Sequence, residues 1–197
     1  MKVKNGHEVE AFTIDDLKKI NEYLNNNKKY VILGIFKFGI YTGLKISNYL
    51  NSNFEDIQDN YLIINNLEKV QLNIECLEMI EILKNFYKEK GIKDYDKGPI
   101  FKSLKFSALK NQKNTPIGYP GVSNAFRDLA KKLNIAYPIG TNSLKKTYKK
   151  FINLSEIEEI EYIKYQLKKL NPKILKQLNI TLEEIDNLHW VIKKTWI

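Results

Sequence analysis

The chain has 197 residues and a formal net charge of +9 at neutral pH, with 43 % hydrophobic and 28 % charged residues. This length and balance are typical of one globular domain that buries its own core, and they argue against a disordered polymer. No secretory signal and no run of 18 apolar residues is visible, which argues against a membrane protein and predicts a cytoplasmic location.

Cysteine and histidine usage gives no pattern for a disulfide or a metal site. Cys76 is the single cysteine, and the two histidines, His7 and His189, lie far apart in the sequence. We therefore expect no disulfide, no metal and no cofactor, and we interpret Cys76 as a small hydrophobic residue of the core.

The excess positive charge is spread along the chain. Such a surface favours polyanions, because neutralising phosphates releases condensed counterions. Lys, Asn and Ile are also abundant in proteins from AT-rich genomes, so charge alone does not decide for nucleic acid. Arg127 is the only arginine, so a mechanism that needs two guanidinium groups on one phosphate cannot be assembled here in its usual form.

The first half of the chain predicts three helices followed by a hairpin. Thr13 is an N-cap for a helix over 15–24, and the nearly all-apolar stretch 30–40 predicts a buried helix that ends at Thr42-Gly43. A short helix follows over 44–50. The runs 61–66 and 69–73, rich in Ile, Val and Tyr, predict a tight β-hairpin.

The second half is predicted to be mostly helical. Ile74 to Lys90 has apolar residues at every third position and ends at Gly91, and 92–120 is predicted to be loop with a short strand at Ile100-Phe101. Further helices are predicted over 123–133, 143–151, 156–170, 172–178 and 182–194. The architecture is therefore mainly α with a small antiparallel β-sheet, in a single domain spanning 1–197.

Four segments carry recognisable motifs in a fixed order. They are FGIYTGLKISNYLNSNFEDI (38–57), GPIFKS (98–103) with TPIGYPGVSNAFRDLAKKLNI (115–135), IGTNSLKKTYKKF (139–151) and LKKLNPKILKQLNITLEEID (167–186). Together they resemble the phage-integrase or tyrosine recombinase family, and within it the short, stand-alone catalytic-domain integrases of phages and mobile elements. The resemblance implies the catalytic-domain fold and double-stranded DNA as a partner. It also implies that the family's N-terminal clamp domain is absent.

The family's chemistry uses a tyrosine to attack a DNA phosphate, while two arginines and a histidine stabilise the transition state and a hairpin lysine protonates the leaving oxygen. The resemblance places other residue types at most of these positions. The first and second arginines fall on Lys45 and Lys145, the first histidine on Asn142, the last histidine on Lys169, the hairpin lysine on Lys69, and the nucleophile on Leu178 or, in another alignment, on Gln177.

This pattern implies that a phosphate-binding cradle is kept as Lys and Asn while the acid, base and nucleophile are lost. The chain is therefore predicted to be a non-catalytic binder of duplex DNA, a regulator or accessory factor. Its predicted DNA contacts are Lys45, Lys69, Asn142, Lys145, Lys146 and Lys169, although Lys146, like Lys149 and Lys150, also fits a solvated surface.

Two alternatives stay open. The first is a divergent, active site-specific recombinase that uses a displaced tyrosine such as Tyr162 or Tyr165. The second is an interaction protein whose tail, 188–197, docks on another copy to form a homo-oligomer, or else packs on its own core. Tyr119, Tyr148 and Trp190 are interpreted as core or rim aromatic residues.

Overall fold

A computed structural model describes residues 8–64, 68–105 and 114–151. The chain divides into two compact units, Met1–Tyr148 and Lys149–Ile197, and apart from 149–151 every described residue lies in the first. The helices predicted over 156–170, 172–178 and 182–194 and the tail 188–197 lie outside the described residues. The single-domain organisation therefore stays a prediction.

Helix α1 spans Ile14–Asn26 and begins where the sequence predicted. The Thr13 hydroxyl oxygen accepts a hydrogen bond from the backbone N–H of Asp16 at 3.1 Å, which satisfies one of the free donors of the first turn. Leu17, Ile20 and Leu24 point into the core. The N-cap and the apolar spacing together confirm the predicted helix.

Helix α2 spans Tyr30–Thr42 and is buried on most of its surface. It ends at Gly43, whose φ of 65° lies in the left-handed region that glycine adopts without strain. A short helix α3, Ile46–Tyr49, follows directly. Both predicted helices and the break between them are confirmed.

A small antiparallel sheet follows a 3₁₀ turn at Phe54–Asp56. Its strands are β1 (Ile57–Gln58), β2 (Tyr61–Ile64) and β3 (Glu68–Gln71), in the order β1-β2-β3. The β2–β3 pairing confirms the predicted hairpin. The sequence did not predict β1, because two residues are too few for an alternating pattern to be read.

Helix α4 spans Ile74–Glu89 and begins at Asn73, whose side-chain oxygen accepts the Cys76 N–H at 3.0 Å. Cys76 is completely buried, as predicted. The predicted apolar stripe at every third residue was partly wrong, since Ile74 is 43 % exposed. The buried stripe runs instead through Cys76, Met79, Ile80 and Leu83, because a helix turns every 3.6 residues and returns to one face at three and four.

The predicted strand at Ile100-Phe101 is wrong. The described residues there form only isolated bridges, between Asn53 and Pro99 and between Lys102 and Pro116. Both Ile100 and Phe101 are completely buried, so their apolar character serves side-chain packing and not a ladder of strand hydrogen bonds.

Two more helices complete the described part. Helix α5, Tyr119–Lys132, begins four residues earlier than predicted, because Pro120 lies in its first turn, where proline is tolerated. Helix α6, Thr141–Phe151, begins two residues earlier than predicted.

The core is rich in aromatic rings. Phe38, Tyr49 and Phe101 pack with ring centroids 5.2 to 6.1 Å apart, and the Tyr49 hydroxyl donates to the Ile35 carbonyl at 2.9 Å. Burial raises the pKa of Tyr49 far above its ordinary value, so this hydroxyl stays neutral. No helix within the described ranges is long and apolar enough to cross a membrane.

Candidate nucleic-acid interface

Helix α6 lies directly against the last turns of α2. A Cβ atom on Gly39 would stand 2.5 Å from Leu144 Cδ1, and one on Gly43 would stand 2.2 Å from Tyr148 Cδ1. These distances are far shorter than a van der Waals contact, so only glycine permits this approach. Gly39 of α2 and Gly43, which caps its end, therefore make room for α6.

Three of the predicted site residues lie within two positions of residues that form this contact. Lys45 is exposed and follows Gly43 by two residues, at the start of α3. Asn142 and Lys145 lie about one helical turn apart on α6, two positions before and one position after Leu144. Asn142 is exposed and Lys145 half-buried. Their role in binding stays a prediction.

The charge of this end is uncompensated in the described part of the chain. The ion pairs formed among residues 8–64, 68–105 and 114–151 are Lys37–Glu75, Lys84–Glu81 and Lys146–Glu8, and none includes Lys45 or Lys145. An ammonium group without a carboxylate partner is available to a phosphate oxygen. Arg127 lies elsewhere, on α5, where it donates to Asn124.

Lys146 differs from Lys145 in its surroundings. Its ammonium group pairs with the Glu8 carboxylate, which lowers the pKa of Glu8 through a hydrogen bond and through charge attraction. One residue on from Lys145, it points about 100° away around the helix. The ion pair with Glu8 therefore distinguishes Lys146 from Lys145, while Lys146 lies one turn after Asn142 on the same side of α6.

The other predicted contacts are not joined to this group. Lys69 is exposed in the middle of β3, opposite Ile63, on the sheet face that does not carry the buried Leu62 and Ile64. No described contact links it to α2 or α6. Lys169 and Leu178 lie outside the described residues.

A segment at the start of the described chain fixes α6 from its other side. The Phe12 N–H donates to Thr147 Oγ1 at 2.9 Å, and the Thr147 hydroxyl donates to the Ser143 carbonyl at 2.8 Å. Thr147 and Ser143 are both completely buried. Since buried polar groups need partners, this chain of bonds orients α6 and with it Asn142 and Lys145.

One hydroxyl near this end was not expected from the sequence. Tyr119 is 52 % exposed, and its hydroxyl lies 3.0 Å from Thr141 Oγ1, next to Asn142. Tyr148, by contrast, is half-buried against Gly43, and burial raises its pKa, in line with a rim aromatic residue. The sequence analysis interpreted Tyr119 only as a core or rim aromatic residue, and it did not anticipate the contact with Thr141 because the start of α5 was placed too late.

Lys102 is a second residue that sequence reasoning missed. It is 2 % exposed, and its ammonium group donates to the Asn114 side chain at 2.9 Å and to the Lys97 carbonyl. It also lies over the rings of Phe54 and Tyr87, 5.1 and 5.4 Å from their centroids. Burial lowers the pKa of Lys102 to about 8, against the attraction of nearby acids. No local pattern distinguishes such a lysine from an exposed one.

Comparison with known proteins establishes the fold. Among solved structures, one described as the crystal structure of XerA recombinase matches 90 % of this chain and 65 % of that chain, with a TM-score of 0.57 and 16 % sequence identity. The chain thus spans a little under two thirds of that protein's length. No protein-family model and no curated protein matches the sequence. The chain has a mainly helical, tyrosine recombinase catalytic-domain-like fold with a small three-stranded antiparallel sheet in its described part, as the motifs predicted.

Proposed function

We propose that the chain is a non-catalytic binder of duplex DNA, derived from a stand-alone integrase of a phage or mobile element and acting as a regulator or accessory factor. The observation that supports the proposal is the recombinase-like fold, in which Lys45, Asn142 and Lys145 each lie within two positions of the residues that join α2 and α6. The resemblance puts two arginines and a histidine at these three positions.

The residue types at this site fit binding better than catalysis. A lysine keeps the positive charge of an arginine but not its two-pronged hydrogen bonding to a phosphate. Asn142 can donate a hydrogen bond to a phosphate oxygen, but an amide cannot transfer a proton at neutral pH. The nucleophile position falls on Leu178 or Gln177, neither of which has a hydroxyl group.

Charge reversal at the site tests the proposal. We expect Lys45→Glu combined with Lys145→Glu to weaken binding to a long duplex at least about tenfold, since each exchange removes one attraction and adds one repulsion. Fluorescence anisotropy with labelled duplex measures this. The control is Lys18→Glu combined with Lys93→Glu, which changes the net charge equally at exposed positions outside the site. Equal losses in both pairs would contradict a localised DNA site.

A divergent active recombinase is the second candidate, and the Tyr119 hydroxyl next to Asn142 is the observation that favours it. In that case the tyrosine oxygen attacks a DNA phosphorus atom and the 5′-oxygen leaves, which forms a phosphotyrosyl bond. A nicked suicide substrate traps such a bond. A covalent adduct that disappears in Tyr119→Phe, or in variants of Tyr162 or Tyr165, would replace the binding proposal by an enzymatic one.

Two further parts of the proposal concern the whole protein. We propose a cytoplasmic protein that forms a homo-oligomer through the tail 188–197, which carries Trp190 and Trp196. Light scattering on the full chain and on a chain ending at residue 187 tests the second part. A mass that does not change on truncation would contradict docking of the tail on another copy.

A further inference from the structure

A small groove lies at the end of α2 that is far from Lys45. Its apolar floor is formed by Leu24, Ile32 and Leu129, and Tyr23, Lys29 and Lys132 stand at its sides. The 13 residues of α2 separate Lys29 from Gly43 by about 20 Å. The groove is therefore distinct from the candidate DNA interface.

Two ammonium groups approach one tyrosine in this groove. Lys29 Nζ lies 5.3 Å and Lys132 Nζ 5.7 Å from the centroid of the Tyr23 ring. Hydrogen bonding to Lys132 first, and to Lys29 next, lowers the pKa of Tyr23 in spite of some burial. Two positive charges and one hydroxyl donor thus face the same small space.

The charge of this group is not neutralised by an ion pair. Within the described ranges, neither Lys29 nor Lys132 has a carboxylate within 4.0 Å. Asp128 lines the groove one turn before Lys132. Tyr23 first, and Asp128 to a smaller extent, raise the pKa of the Lys132 ammonium group. Two lysines against one aspartate leave an excess of positive charge at the groove, which favours an anion.

The size of the groove limits the ligand to one chemical group. Its volume is about 70 Å³, well below the roughly 300 Å³ at which pockets for whole small molecules begin. A phosphate monoester carries a charge between about −1.5 and −2 and three strong acceptor oxygens. Its three oxygens can each face one of the three donor groups, which are the two ammonium groups and the Tyr23 hydroxyl. A carboxylate offers only one charge and two oxygens.

We propose that this groove binds a terminal phosphate group, a phosphomonoester, through Lys29, Lys132 and the Tyr23 hydroxyl, while the rest of the ligand stays outside. Such a group belongs either to a free small phosphomonoester or to the 5′ end of a nucleic acid. The proposal does not depend on the function proposed for the DNA interface, since no residue is shared.

Calorimetric titration with phenyl phosphate tests the proposal on the full chain. We expect saturable binding of one equivalent, which Lys29→Gln and Lys132→Gln each weaken about tenfold and Tyr23→Phe weakens a few-fold. Lys93→Gln is the matched control, since Lys93 is an exposed lysine outside the groove. All four side chains are at least partly exposed, so these variants are expected to fold, which circular dichroism checks.

Two comparisons assign the binding to this groove and identify its source. Lys18→Gln combined with Lys93→Gln, at exposed positions outside both sites, should leave the affinity for phenyl phosphate unchanged; loss of that affinity would show that net charge and not the groove holds the anion, and would overturn the proposal. The absence of saturable binding to the unaltered protein, or groove variants that bind as it does, would overturn it as well. If a 5′-phosphorylated oligonucleotide binds more tightly than the same oligonucleotide with a 5′-hydroxyl group, the ligand is the end of a nucleic acid. Equal affinities of the two oligonucleotides identify the ligand as a free phosphomonoester.

Discussion

Gly43 holds two roles that no other residue type can combine. Its left-handed backbone ends α2, and its missing side chain leaves room for the Tyr148 ring. Gly91 also has a left-handed backbone, with φ at 70°, but nothing lies within 4 Å of the position of its absent Cβ. A comparison of substitutions at Gly43 and Gly91 therefore distinguishes the cost of backbone strain from the cost of steric overlap.

We expect Gly91→Ala to lower the free energy of unfolding by about 1 kcal/mol through backbone strain alone. Gly43→Ala should cost about 1 to 3 kcal/mol more, because the new methyl group overlaps Tyr148. Urea denaturation measures both. Equal losses in the two variants would mean that α6 does not pack on Gly43 as described.

Lys102 makes the stability of the fold depend on pH. Its pKa falls from an ordinary 10.5 to about 8 on folding, first through burial, while Glu55, Asp94 and Asp96 act in the opposite direction. Between these two values the unfolded chain holds the proton and the folded chain releases it. Stability therefore rises with pH from about 8 to about 10.5 and does not change from this source below 8.

Urea denaturation between pH 7 and 10.5 tests this effect. We expect the unaltered protein to gain stability relative to Lys102→Met over the upper part of this range, because methionine removes the titrating group. Lys93→Met, at an exposed position, controls for the general loss of one lysine. Parallel curves for the unaltered protein and Lys102→Met would contradict the release of a proton from Lys102.

Among the elements, α6 depends most on contacts that are distant in sequence. Its buried face is held by the hydrogen bond from the Phe12 N–H to Thr147. We expect Thr147→Val to cost about 1 to 3 kcal/mol, because it leaves that buried N–H without an acceptor. It should also weaken DNA binding, since the helix carries Asn142 and Lys145. Thr115→Val, at an exposed position, is the control in both urea denaturation and anisotropy.

The elements that sequence predicted well are those with complete local signals. Thr13 with its acidic first turn defined α1, and the apolar run ending at Gly43 defined α2. The start of α5 was misplaced because Pro120 fits both a loop and a first helical turn. The predicted strand at Ile100-Phe101 failed because burial of two apolar residues does not require strand pairing.

The candidate site could be predicted only in part from the sequence, for a similar reason. Motif positions pointed to Lys45, Asn142 and Lys145, but the packing of α6 on the end of α2, next to which they lie in sequence, depends on two glycines and a helix about 100 residues apart. The ion pair of Lys146 with Glu8, the burial of Lys102 and the convergence of Lys29 and Lys132 on Tyr23 are all tertiary. No spacing rule covers such contacts.

At the scale of the whole molecule, with its net charge of +9, the DNA binding that we propose should depend strongly on salt. The logarithm of the association constant should fall linearly with the logarithm of salt concentration, by about 0.9 for each phosphate contact. We expect Lys145→Gln to reduce this slope by about 0.9 and Lys146→Gln by less, since Glu8 already neutralises Lys146. Anisotropy titrations at several salt concentrations measure the slopes. Equal reductions would contradict the difference between these two neighbours.

The bond between Phe12 and Thr147 spans 135 positions of the chain. During synthesis a ribosome must therefore add all of these residues after Phe12 before the helix that carries Asn142 and Lys145 can dock, whereas α1, α2 and α4 become available much earlier. A nascent chain that has not yet reached Thr147 would contain the apolar helices without a docked α6, and so would lack the helix to which we assign DNA contacts.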